Sequence, residues 1–200
     1  MKNTILIIAC LALFYSCKEA PKTTQEASKT TQEIAETKKG KTYTPSLDCE
    51  TFYQSIDFSS LCFTSDKTPK IQKAKNGSGN NCQYKMLLEE FGTEIYVLVN
   101  YHDYEKSIYN DPELAKNIHE QTFQKTRKNA YLFSKTTDVA IEDAAYFGYH
   151  EAHKQKSLHI RMGNVVIAIQ VEGIDKTNSC ILSDEELRKF ANLLINQVKK

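Results

Sequence analysis

Glycine and proline are scarce in this sequence, at 7 and 4 of 200 residues. No apolar run approaches the roughly 20 residues that a membrane-spanning helix requires. The longest, Ile5 to Tyr15, is too short to cross a bilayer as a mature helix. Neither sign of charge dominates, with 26 basic and 25 acidic residues. Lys2 is the only charged residue before Cys17, so everything after it is formally balanced. That balance argues against a nucleic-acid binder, which shows a basic stripe, and against an acidic ion sponge. No two cysteines stand at the close spacing of zinc ligands. There is no G-x-S-x-G elbow, no P-loop and no G-x-G-x-x-G. Asp103, Glu105, Asp111 and Glu113 lack the spacing of a calcium loop. With no catalytic constellation, the expectation is a protein that is not an enzyme and needs no cofactor.

What is present begins with location. Lys2 followed by the apolar run has the form of a secretory signal. The run Phe14-Tyr15-Ser16 stops at Cys17, and Lys18 and Glu19 turn the chain polar at once. This resembles the lipobox of bacterial lipoproteins of the Bacteroidota type. The resemblance implies cleavage before Cys17 and acylation of its thiol and new amine. Each buried acyl CH₂ contributes about 0.8 kcal/mol, so two or three chains hold a protein at a membrane. The partition expected is a signal peptide over 1–16, a lipidated Cys17 and flexible tether over 17–45, and a globular domain over 46–200. The tether carries a tandem near-repeat, KTTQEAS and KTTQEIA, at 22–35. Ile34 is its only large apolar residue, so a solvated linker is expected rather than a coiled coil.

Four cysteines remain after Cys17: Cys49, Cys62, Cys82 and Cys180. An even number in an exported chain reads as disulfides. Three pairings are possible. The favoured one joins Cys62 to Cys82 and Cys49 to Cys180, because the first bridge closes a short polar loop and stabilises by about 3 kcal/mol.

Within the domain, Cys49, Phe52 and Ile56 recur at helical spacing after Ser46 or Asp48 as cap. Residues 65–81, with four lysines and a Gly-Ser-Gly-Asn-Asn cluster, read as a loop. The loop is taken as solvated rather than as an anion site. Alternation from Tyr84 to Leu88 and from Ile95 to Tyr101 marks a hairpin around Phe91-Gly92. The stretch 101–110 leaves the sheet. Asp111-Pro112 then opens a helix to about Lys128, with Leu114, Ile118 and Thr122 or Phe123 on its inner face. A three-stranded meander follows in IEDAAYFGYHEA, SLHIRM and NVVIAIQVE, turning at Gly163-Asn164. Ser183 to Glu186 is a capping box for a last helix whose stripe is Leu187, Phe190, Ala191, Leu194 and Val198.

The fold class expected is α+β, an antiparallel sheet of about five or six strands flanked by helices. The EDAAYF strand, the LHIRMGNVVIAI hairpin and the SDEELRKFANLL helix together resemble PsbP-like α/β/α sandwich lipoproteins over residues 46–200. That resemblance implies a binding or assembly role and transfers no site residues. Two side-chain groups remain as candidates. His150, His153 and His159 offer three imidazoles for zinc or copper. In a strand, however, His150 and His153 point to opposite faces, so an exposed hairpin is preferred and no metal is expected. The tyrosines at 96, 101, 104 and 109 are candidates for stacking on a sugar ring or a partner side chain. The partners expected are the membrane, through the N-terminal lipid, and a protein or glycan of the envelope.

Overall fold

The computed structural model describes residues 41–62, 70–73, 81–88, 93–172, 180 and 183–200. Cys17, the signal sequence, the heptad pair and the Phe91-Gly92 turn lie outside the described residues. Seven antiparallel strands form one sheet: β1 (Lys70–Lys73), β2 (Asn81–Leu88), β3 (Thr93–Tyr101), β4 (Lys135–Val139), β5 (Ala144–His150), β6 (Gln155–Met162) and β7 (Val165–Glu172). Their order across the sheet is β1-β2-β3-β7-β6-β5-β4. Three helices with described bounds accompany them: α1 (Cys49–Gln54), α2 (Pro112–Arg127) and α3 (Asp184–Val198).

The alternation of β3, β6 and β7 explains the core. Ile95, Val97 and Val99 stand opposite Val171, Ile169 and Ile167 on β7. Leu158 and Ile160 stand opposite Ile169 and Ile167 from the other side. All of these are fully buried. Helices α1 and α3 cover this face, placing Phe52, Tyr53, Leu187, Phe190 and Leu194 in the same cluster. Each such side chain contributes roughly 1.5–3 kcal/mol on burial. The stripe expected of α3 is buried throughout. Ser183 caps it by accepting from the Glu186 amide at 3.0 Å.

Helix α2 lies on the opposite face. Asp111 caps it through the amides of Glu113 and Leu114, and Pro112 needs no partner at the first turn. Its packing line is Ala115, His119 and Phe123. Phe123, one of the residues expected on the inner face, is there, but Leu114 is 44 % exposed and Ile118 only half-buried, so the rest of that face is corrected. His119 and Phe123 meet rings rather than an aliphatic floor: His102 and Tyr104 for the first, Tyr146 for the second. Phe123 and Phe133 both pack edge-on to Tyr146.

Two further expectations are corrected. Residues 70–73 form an edge strand paired to β2 rather than part of a loop. The disulfides join Cys49 to Cys82 and Cys62 to Cys180. Cys49 opens α1, which packs over β2, so Cys82 is the thiol beneath it. Cys62 is held beside α3, where its amide donates to Glu186 Oε1 at 2.6 Å. Strand β4, with the alternation-poor sequence KTTDV, is the other edge strand added to those expected.

Candidate functional site

At the end of β3 the chain crosses from sheet to loop on the α2 side. Side chains alternate along a strand, so Asn100 and His102 share the face that α2 covers. Asn81 on β2 stands directly opposite Asn100. The loop 101–111 then folds toward α2, and together they enclose a cavity of about 610 Å³. Such a volume lies within the range of small-ligand sites. Asn81 and Asn100 line it from the sheet, Ile118 and His119 from the helix, and Tyr104 and Tyr109 from the loop.

The chemistry of the cavity centres on two imidazoles. The rings of His102 and His119 lie 3.8 Å apart between centroids. The Tyr104 hydroxyl lies 2.7 Å from His119 Nδ1 and also reaches the carbonyl of Gly163 at 3.4 Å. Asn100 Nδ2 lies 3.1 Å from His102 Nε2; the amide donates, so the imidazole nitrogen accepts and its proton sits on Nδ1. His119 Nε2 is buried without a hydrogen-bond partner among the described residues. An orphaned group of that kind costs roughly 1–3 kcal/mol.

Electrostatics keep both rings neutral. Burial is the main cause of a His119 pKa pushed down to about 3, with His102 and Arg161 adding repulsion. Burial also lowers His102 and pushes the Tyr104 hydroxyl up to about 12. The charged pair at the rim, Asp103 and Lys106, is self-compensating at 3.3 Å. Arg161, on the sheet beneath α2, is occupied by Glu120 at 3.0 Å.

A buried carboxamide fixes the loop. Asn164 donates to the carbonyls of Tyr43 and His102 at 2.8 and 2.9 Å. It accepts from the Tyr43 amide at 2.7 Å, and its own carbonyl accepts from the His102 amide at 2.8 Å. The end of the stretch assigned to the tether is therefore docked beside the cavity.

The histidines singled out from sequence are divided. The turn at 151–154 brings His150 and His153 together, with rings 4.4 Å apart, instead of pointing them to opposite faces as a strand does. His159 pairs in register with Tyr146, four strand positions from His150 or about 13 Å. There it stacks on the Tyr146 ring at 4.9 Å, and burial lowers its pKa to about 4. Among the described residues no three metal-ligating side chains converge. The tyrosines are divided too. Tyr101 faces the α1/α3 core, Tyr96 bonds to Glu94, and Tyr104 and Tyr109 line the cavity. No family model, curated protein or solved structure matches the chain.

The sequence reading missed His102 and His119. They are 17 positions apart in the chain, on unlike elements, and no spacing rule joins them. The signal available was the histidine on the inner half of a helix whose apolar stripe is thin.

Proposed function

We propose that this chain is a lipid-anchored envelope protein of non-enzymatic binding or assembly type, and that its ligand site is the cavity between the 101–111 loop, α2 and β3. The observation that carries the reading is the cavity itself. Its titratable core is two neutral imidazoles in tilted contact, one of them joined to a tyrosine, and no nucleophile stands beside an acid–base pair in that set. Two disulfides support a place outside the reducing cytoplasm. Attachment through Cys17 rests on the lipobox resemblance. The helix–sheet–helix order of α1 and α3, the sheet, and α2 supports the resemblance to PsbP-like sandwiches. A metal-dependent alternative on His150, His153 and His159 retains only the first two as neighbours.

Two experiments test it. Cell fractionation and protease shaving compare the native chain with Cys17→Ala: the native chain stays with membranes and the variant is released. A Cys17→Ala chain that remains in the membrane fraction defeats the anchor. For the binding role, a photo-cross-linking residue replaces Ile108, which is 87 % exposed at the cavity rim, with Leu47 as control position. A discrete adduct from position 108, lost with Tyr104→Ala, is expected. Equal labelling from both positions defeats the cavity as the site.

A further inference from the structure

The cavity specifies its ligand by what it offers. On the sheet side it presents two facing carboxamides, Asn81 and Asn100. A carboxamide donates and accepts at once, and a neutral imidazole offers one of each. At the loop, Tyr109 is 45 % exposed and Ile108 stands beside it. Asp103 and Lys106 neutralise each other.

We infer that the cavity binds a neutral sugar ring, as the terminal unit of an oligosaccharide. The inference rests on the binding role proposed above. An ionic ligand brings a charge that the cavity does not pair, and an unpaired charge out of water is strongly disfavoured. A purely apolar ligand takes water from the Asn81 carboxamide and the Asn100 side-chain oxygen without giving either a partner. A pyranose ring meets all of the demands together. It has no charge, its hydroxyls both donate and accept, and its axial C–H face packs on an aromatic ring such as Tyr109. Peptide backbone shares the hydrogen-bonding capacity but has no ring face to present to the tyrosine.

The test uses the purified full chain and four probes. Maltotriose and chitotriose are neutral, trigalacturonate is acidic, and acetyl-trialanine amide is a neutral peptide. Titration is followed by calorimetry and by the ring ¹H–¹⁵N signals of His102 and His119. The expected result is saturable binding of at least one neutral trisaccharide, with movement of both histidine signals. Tyr109→Ala, an exposed change that leaves the melting temperature unaltered, lowers that affinity about tenfold. Asn100→Leu abolishes it, with the circular dichroism spectrum confirming that the variant is folded. Preference for trigalacturonate or for the peptide overturns the sugar assignment and leaves the binding role standing. Sugar binding that leaves the histidine signals still and survives Tyr109→Ala overturns it as well, as does no response to either neutral sugar at about 10 mM. Failure of the binding role is read separately, from the cross-linking at position 108.

Discussion

On the sheet face covered by α1 and α3, the buried strand side chains are aliphatic or aromatic, with Cys82 bridged to α1. On the face beneath α2 the same strands present Asn100, Ser157, His159 and Arg161 among the rings of Tyr146 and Phe123. One set of strands therefore supports two surfaces of opposite chemistry. The first is dry, and the Cys49–Cys82 disulfide ties α1 to it. The second holds neutral imidazoles, an orphaned nitrogen and a cavity. Burying polar groups without full hydrogen bonding lowers stability; among the described residues His119 Nε2 carries that cost on the second face and the Tyr84 hydroxyl on the first.

The comparison is broken most severely from the dry side. Phe190→Ala leaves a cavity between α3 and the sheet and lowers stability by about 3–5 kcal/mol, read from urea unfolding. Leu98→Ala, a half-buried position on the α2 side, loses less than half as much. Equal losses would show that the two faces do not differ in packing. Next in size is removal of the Cys62–Cys180 bridge by paired Cys→Ser changes. It releases a loop with a sequence separation of 118 and costs about 2–4 kcal/mol, seen as a lower thermal midpoint without reductant.

Gly163→Ala acts where the faces join. Gly163 has φ +55°, and an added Cβ lies 1.8 Å from the Lys41 carbonyl. The expected loss is roughly 1–3 kcal/mol, together with faster amide exchange at Tyr43 and His102. Protection of those amides that matches the native chain would refute the link through Asn164.

The smallest effect is the most specific to the α2 face. His119 and His159 have folded pKa values near 3 and 4, below the ordinary 6.5. The unfolded chain therefore takes up their protons first. Stability is intact above about pH 6.5 and falls as pH drops from there toward 3–4. His119→Phe removes one of these sites and the orphaned nitrogen. It changes stability at pH 7.5 by less than about 1 kcal/mol and flattens the decline between pH 6.5 and 4. A melting-temperature profile of unchanged slope would exclude His119 from that decline.

Legibility follows the same division. The strands of the dry face were readable because period-two alternation in 158–162 and 165–171 reflects one-sided burial directly. The stripe and cap of α3 were readable for the equivalent helical reason, as were Asp111 and Pro112 at the start of α2. The rotation of α2 was not. Leu114 and Ile118 are more apolar than Ala115 and His119, and only the rings of His102 and Tyr104, just past β3, make His119 the better fit. The candidate site shows the same failure. Tyr104 and Tyr109 stood out in the aromatic-rich run 101–110, whereas His102 and His119 did not. The three histidines nearest in sequence proved to be one at the end of β5, one on the turn after it and one under a helix.

By itself, then, the sequence determined the class of fold, the capped ends of α2 and α3, the one-sided alternation of the central strands and the presence of four cysteines in position to pair. Each of these is written in short-range periodicity or in a local hydrogen bond. The tertiary structure alone decided which cysteines meet, which side of α2 turns inward, that 70–73 and 135–139 add edge strands, and that His102 packs against His119. These depend on which surfaces come into contact after the chain has folded back across the sheet, and residues far apart in sequence carry no local mark of that contact.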